Sequence, residues 1–522
     1  MIQMIRLTRE IRFTKLGPTA PWACRLLLLV FLLAVLGLGV HVLGVAMAER
    51  AVTPGAPADQ RIWQDERIYF IMIDRFSDGD PTNNFNVMKG NPYAWHGGDL
   101  QGIIDKLDYI KSLGFTAIWI TPHVRNAGID YHGYAAVDFY EVDPHFGTKE
   151  TLKRLVSEAH ARGLKVIFDI VVNHTGPNNP LVVEKPEWFH PRREISNWND
   201  TEEVRRGWLF GLPDFDQSNP EVREYILEYS RFWIEETDVD GFRLDTVKHV
   251  EPEFWSWYVP ELQKIKPGFW VIGEVWDSSP YRLAEYQRAG VTALIDFPES
   301  EAARQAFARD GSLAVLAQVS RQVEMAMEDP WQMGAFLDNH DMPRFTTYTR
   351  DDPIGRLKLG LIWLFTQRAI PIVYYGTEIG MEGGNDPYNR ADFPWGEEEN
   401  LDVRDLVVRL NDIRSRHIAL RRGGMEMILA DWWRYAYART LGEDRVVVVL
   451  NNHPSQPFVR EIELSALNLP DGTVLVDELT GGRVQVQNGR ISVDIRPRSG
   501  AIYVVQPNRS KSPGREADGQ KK

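Results

Sequence analysis

The amino-acid sequence predicts an α/β protein: a (β/α)8 barrel with a small subdomain inserted after its third strand, followed by an all-β sandwich. Three observations carry that prediction. Eight short apolar runs recur between residues 67 and 376, stretches of helical period follow most of them, and after about residue 424 short alternating strands take over. Continuous apolar strands separated by amphipathic helices build a parallel sheet covered by helices. Eight such units close into a barrel. An open doubly wound sheet is the alternative, but no Gly-rich phosphate loop follows the first run.

The elements follow in chain order. Residues 1–48 carry five basic side chains against the single acid Glu10, an apolar stretch from Leu26 to Val45, and a small-residue site at Ala46-Met47-Ala48. These are the parts of a secretory signal. A stretch of this length also suits an uncleaved membrane anchor. Both readings put the bulk of the chain outside the cytoplasm, and the second gives its one membrane contact. The only cysteine, Cys24, precedes the apolar stretch, so no lipid-attachment site follows it.

Residues 49–66 read as a linker and 67–423 as the barrel, with runs such as RIYFIMID (67–74), KVIFDIV (165–171) and IPIVYYG (370–376). Residues 149–163 place apolar side chains at 152, 155, 156 and 159, the spacing of one helix face. Residues 174–219, rich in Pro, Asn and Trp, are too long for a plain loop and form the inserted subdomain. Residues 424–507 form the sandwich, from runs including 445–452, 459–465, 473–478, 489–497 and 500–506, and 508–522 form a polar tail.

Composition limits the partners. Of 522 residues, 43% are apolar and 25% charged, which excludes a disordered chain. Lys and Arg total 59 against 73 Asp and Glu, for a formal charge of −14. No basic run stands out beyond the first 25 residues, so no nucleic-acid partner is expected. The 17 tryptophans suit a neutral, stackable ligand such as a sugar.

Acids recur where the apolar strands end: Asp169, Asp245, Glu274, Asp338 and Asp341. A charge there is costly unless it is paired or used, and barrel active sites sit at this face. In GFRLDTVKH (241–249), strand alternation points Arg243 and Asp245 to the same side, so the guanidinium can keep Asp245 ionised as a nucleophile. Glu274 lies between Val271-Ile272 and Val275-Trp276, an apolar setting that suits a general acid. One ionised and one protonated carboxyl are what glycoside hydrolysis with retention requires. Asp341 follows His340 in FLDNHD and is placed to bind sugar hydroxyls and stabilise developing positive charge.

DIVVNH (169–174), GFRLDTVKH, GEVW (273–276) and FLDNHD (336–341) resemble, in order, the four signature blocks of glycoside hydrolase family 13, the α-amylase superfamily. Further similar segments, among them YHGYAAVDFY (131–140) and LPDFD (212–216), extend the resemblance over about residues 66–506. The resemblance implies Asp245 as nucleophile, Glu274 as acid/base and Asp341 as transition-state stabiliser. It implies sugar contacts from Tyr131, His132, His174, Arg243, Lys248, His249 and His340. It also implies Ca²⁺ held by Asn173, Asp214 and the His249 carbonyl. A second calcium site is suggested by SDGDPTNN (77–84), with Asp78, Asp80, Asn83, Asn84 and Asp99 as ligands; a metal-free turn is the alternative for this composition.

Within that family the expectation is a secreted, monomeric α-amylase hydrolysing internal α-1,4 bonds of starch or maltodextrins. VKH at 247–249 resembles α-amylases, and the two extra β domains of cyclodextrin glycosyltransferases have no counterpart here. GGNDPYNRADFPWG (383–396) instead resembles a loop of members acting on short oligosaccharides. A maltogenic, cyclomaltodextrin-degrading or glucanotransferase enzyme is therefore the alternative. A non-catalytic ectodomain, as in amino-acid transporter heavy chains, is remote because all three acids are present.

Overall fold

A computed structural model describes residues 62–506. The signal or anchor, residues 49–61 of the linker and the polar tail lie outside the described residues. Eight parallel strands form the central sheet: β1 (Ile68–Ile71), β2 (Ala117–Ile120), β5 (Lys165–Ile170), β6 (Gly241–Leu244), β7 (Trp270–Gly273), β8 (Ala293–Leu294), β9 (Gly334–Ala335) and β10 (Ile370–Tyr374). Their spatial order follows the chain, β10 pairs with β1, and a bridge between Ile295 and Gly334 joins the β8 and β9 edges. The barrel is thus near-closed, as eight helix-linked parallel strands require. A hairpin of β3 (Val124–Asn126) and β4 (Ala136–Val142) rises from the loop after β2.

Local sequence explains these elements. β1 and β2 are buried along their whole length, as strands covered on both faces must be, and Phe70 stacks on Trp119 at 3.7 Å in the barrel interior. The helix Lys149–Ala161 starts where the Thr148 side chain accepts from the Thr151 amide, and it buries Leu152, Leu155, Val156 and Ala159. These are the positions that the helical period marks. Between β5 and the helix Pro220–Thr237 the chain forms only short helices, Leu181–Glu184 and Thr201–Arg206, with single turns between them.

The C-terminal unit begins at β11 (Gly424–Ala430) and β12 (Arg434–Leu441), and continues through β13 (Asp444–Asn451), β14 (Phe458–Glu463), β15 (Val474–Asp477), β16 (Arg483–Gln485), β17 (Arg490–Ile495) and β18 (Ser499–Val505). Six strands form one antiparallel sheet, and β14 pairs with β17 beside it around a core of Val447, Val449, Val493 and Ile495. β12 escapes the sequence pattern because both of its faces are covered. Tyr435 and Tyr437 join the core shared with the barrel, whereas Ala436 and Ala438 face the sandwich core. Arg439 ties the two layers: its Nη1 donates to the carbonyls of Thr366 and Gln367 at 2.8 and 2.5 Å, and its Nη2 to that of Gly423.

Candidate active site

The acids at the C-terminal ends of β6 and β7 meet on one cation. Arg243, fully buried, donates through Nη1 to Asp245 Oδ1 at 2.5 Å and to Asp169 Oδ1 at 2.8 Å, while its Nη2 lies 2.9 Å from Glu274 Oε1. Trp119 Nε1 and the Tyr134 hydroxyl donate to the other Asp169 oxygen at 3.1 and 2.8 Å. Asp169 therefore orients Arg243 from beneath, and Asp245 and Glu274 face the opening. Thr246, held at φ 48°, turns the chain sharply after Asp245 and aims its amide at Glu274 Oε2, 3.1 Å away. Gly273 permits the close packing under Glu274, since a Cβ there would sit 2.8–3.1 Å from Val291, Val247 and Leu294.

Burial dominates the electrostatics of Glu274. Burial pushes Glu274 up to about 8, with the negative charges of Asp245 and Asp341 adding to the effect. Arg243 pulls the other way, favouring the anion. It is shared among three carboxyls, so burial prevails and Glu274 is the group that stays protonated at neutral pH. Burial likewise raises Asp169 to about 7 and raises Asp341. Asp341 takes a hydrogen bond from Arg390 Nη2 at 3.3 Å and lies 3.3 Å from His340 Nε2.

A cavity of about 800 Å³ opens over these groups. Asp245, Glu274, Asp341, His132, His174, Lys248, His249 and His340 all line it. Burial lowers the imidazole of His132 to about 3 and that of His249 to about 4, and it depresses His174 and His340 as well. All four are neutral hydrogen-bonding groups. Lys248 Nζ donates to the Trp276 carbonyl at 2.7 Å, which sets it beside the Glu274 loop.

Two expected contacts sit elsewhere. Arg243 lies under the carboxyls rather than in the cavity wall. Tyr131 packs against Arg75, whose guanidinium is 3.8 Å from its ring, and is not among the lining residues. The ring in the cavity is Tyr134, tied through its hydroxyl to His340 Nε2 at 2.8 Å. The motif YHGY holds both tyrosines, and the sequence alone does not say which one turns inward. Sequence reasoning also missed Trp198 and Phe210 from the insert, and Asp386 and Arg390 from the 383–396 loop, all of which line the cavity. The only signals for them were the resemblance of that loop and the aromatic content of the insert.

Among the described residues, no group of three or more His, Cys, Asp or Glu has metal-ligand geometry. The first calcium set nevertheless fits a hard cation by its donors. Asn173 Oδ1 and Asp214 Oδ1 are buried without a hydrogen-bond partner, while Asn173 Nδ2 is turned toward His174 and Asp214 Oδ2 toward His190 Nδ1 at 2.7 Å. Two segments thus leave one free oxygen each. The His249 side chain, for its part, bonds the Val204 carbonyl through Nδ1, and its own backbone carbonyl is the oxygen it offers to a hard cation.

The second set is more committed. Asp99 caps the helix Leu100–Ser112 and accepts from the amides of Gly79 and Asp80, and Asp80 is taken up by Thr82. Asp78 accepts from Asn84 Nδ2, which leaves Asn83 Oδ1 and Asn84 Oδ1 as the buried free oxygens.

Two converging carboxyls over an arginine, at the C-terminal mouth of an eight-stranded barrel, define a glycoside hydrolase. The family model for the α-amylase catalytic domain matches residues 70–417, and the chain belongs to that family.

Among curated relatives, the β/α-amylase of Paenibacillus polymyxa is 36% identical, over 84% of this chain and 38% of its own length. This chain thus spans well under half of that relative. A cyclomaltodextrinase of Geobacillus thermopakistaniensis is 32% identical over 85% of this chain and 78% of its own. Neopullulanase 2 of Thermoactinomyces vulgaris is also 32% identical, over 84% and 78%.

Two solved α-amylases are similar in structure. The Anoxybacillus enzyme is 45% identical with a TM-score of 0.83, covering 86% of this chain and 99% of that one. The Geobacillus thermoleovorans enzyme, complexed with acarbose, is 39% identical with a TM-score of 0.82, covering 86% and 100%.

Proposed function

We propose that the protein is a retaining hydrolase of α-1,4-glucosidic bonds acting on short maltooligosaccharides and cyclomaltodextrins and releasing small maltosides. One observation carries the preference for short substrates: the 383–396 loop, which resembles a loop of members acting on short oligosaccharides, contributes Asp386 and Arg390 to the cavity lining. Arg390 pairs with Asp341 at 3.3 Å and with Asp386 at 2.8 Å, which ties that loop to the catalytic acids. The names of the cyclomaltodextrinase and neopullulanase relatives point the same way. Internal cleavage of starch is the second reading, favoured by the two solved α-amylases.

In this mechanism Asp245, oriented by the hydrogen bond it accepts from Arg243, attacks the anomeric carbon and forms a glycosyl ester. Glu274 gives its proton to the leaving glycosidic oxygen. Glu274, now a carboxylate, then takes a proton from the water that hydrolyses the ester, and the configuration is retained. Sharing one guanidinium fits the short carboxyl spacing of such enzymes, about 5–5.5 Å. Asp341 holds ring hydroxyls while positive charge develops, and the Tyr134 ring offers an apolar face to the sugar.

Calcium is part of the proposal: Asn173, Asp214 and the His249 carbonyl would hold a cation that pins the insert to the barrel wall. The N-terminal segment supports export of the chain, where glucan fragments are met.

The test is a comparison of rates and products on β-cyclodextrin, maltoheptaose and soluble starch. Higher kcat/KM on the two small substrates, with maltose-sized products, is expected. A fast fall in iodine colour with a higher rate on starch would favour the second reading.

A further inference from the structure

Asp341 sits on a turn that has no ladder of its own. Residues 336–344 lie between β9 and the helix Phe345–Tyr348, and among the described residues no backbone N–H is bonded to the carbonyls of Asn339, His340 or Met342. A buried carbonyl left unpaired is costly, so side chains must serve these three. They come from the 383–396 loop. Asn389 Nδ2 donates to the His340 carbonyl at 2.7 Å, to that of Met342 at 2.9 Å and to that of Asn339 at 3.4 Å. Arg390 Nε adds a second bond to the His340 carbonyl at 2.9 Å. All three acceptors are carbonyl oxygens, so only the amino end of the Asn389 amide can face them, and its Oδ1 is buried without a partner.

The donor is itself held fast. Three successive carbonyls of the loop are each taken by a buried side chain of the barrel: that of Asn389 by Arg344 Nε at 3.0 Å, that of Arg390 by Arg75 Nη1 at 3.0 Å, and that of Ala391 by the Tyr375 hydroxyl at 2.6 Å. Arg344, Arg75 and Tyr375 are at most 2% exposed, and Asn389 is fully buried. Arg75 closely follows β1 and Tyr375 follows β10, so residues 389–391 are anchored to two barrel strands, and the turn 339–342 is fastened to them in its turn. Asn389 is not among the lining residues of the cavity, whereas Asp341 and Arg390 are.

We infer that Asn389 is a positioning residue for Asp341, its amide fixing the turn that presents the Asp341 carboxyl to the cavity. This rests on the proposed glucan hydrolysis. A displacement of about 1 Å in a group that acts on the reacting centre can cost about 10²-fold in rate. Asp341 acts as positive charge develops, so the loss belongs to the transition state and falls on kcat rather than on KM.

The test is Asn389→Ala, with active sites counted by trapping with a 5-fluoro-α-maltosyl fluoride so that unfolded chains do not enter the rate. On maltoheptaose, kcat per site should fall about tenfold or more while KM stays within about twofold. The charges facing Glu274 are Arg243, Asp245 and Asp341, and Asp341 helps to keep it protonated. A displaced Asp341 should therefore move the alkaline limb of kcat/KM to lower pH. In an Asp341→Asn background the further change Asn389→Ala should cost almost nothing. Asn389→Asp, which keeps the shape but offers no donor, should match Asn389→Ala, and Asn389→Ser, with one donor, should recover part of the rate. An unchanged kcat, a loss expressed in KM alone, or losses from Asn389→Ala and Asp341→Asn that add in full would overturn the inference. A wild-type enzyme that hydrolyses neither maltoheptaose nor starch would instead overturn the glucan reading itself.

Discussion

In the proposed mechanism the proton on Glu274 sets the upper pH limit of the reaction, and the effect of its burial can be worked out. A carboxyl titrating near 8 is about 90% protonated at pH 7, whereas one at the ordinary 4.5 would be about 0.3% protonated, so burial enriches the acid form about 300-fold. The sign follows directly. The protonated form is the active one, so kcat/KM holds at neutral pH and falls as pH rises through about 8. Glu274→Gln cannot donate a proton, and hydrolysis of maltoheptaose should drop by about 10²–10⁴ with no alkaline limb left.

The same variant should still attack α-maltotriosyl fluoride, since fluoride leaves without a proton, and should then stall as a glycosyl-enzyme. Asp341→Asn removes one of the negative charges that raise Glu274, so its residual activity should show the alkaline limb shifted to lower pH. The assay is initial rate against pH from about 4 to 10. An alkaline limb near pH 5, or one that persists in Glu274→Gln, would refute the assignment of the acid.

Other variants test the supports. Arg243→Lys replaces a fork serving three carboxyls by one ammonium; about 3 kcal/mol of stability or more should be lost in urea unfolding, together with most of the activity. Tyr134→Phe cuts the link between Asp169 and His340 and should cost about 1 kcal/mol and about tenfold in kcat, read by denaturation and rate. Chelation should lower Tm and activity in the wild type, and added Ca²⁺ should restore both; Asn173→Ala should make Tm insensitive to either treatment. Arg439→Met takes a donor from three carbonyls between barrel and sandwich, of which Gln367 keeps Arg414 and Gly423 keeps Trp331, so a loss of about 1 kcal/mol should be visible as a lower Tm.

How much of this the sequence made legible depends on what each feature rests on. The barrel strands were readable because strands buried on both faces must be apolar throughout, whatever their partners. Arg243 and Asp245 were readable from alternation alone, and they meet at 2.5 Å. β12 was hidden because its alternation of Tyr and Ala serves two cores and leaves no polar face to mark a strand. Asp338 looks like Asp245 in sequence, yet it caps Phe345 and accepts from Thr377 away from the cavity. A strand-end acid does not by itself announce which way it turns. Trp198, Asp386 and Arg390 come from irregular loops, where side-chain direction has no period and only tertiary placement brings the groups to the cavity.

The account stands on Asp245 forming a bond to sugar. Incubation with a 5-fluoro-α-maltosyl fluoride, followed by digestion and mass spectrometry, tests that bond directly. One fluorosugar per chain on the peptide containing Asp245, absent in Asp245→Asn, is the predicted result. A label on any other carboxylate, or turnover of maltoheptaose by Asp245→Asn at an undiminished rate, would contradict it.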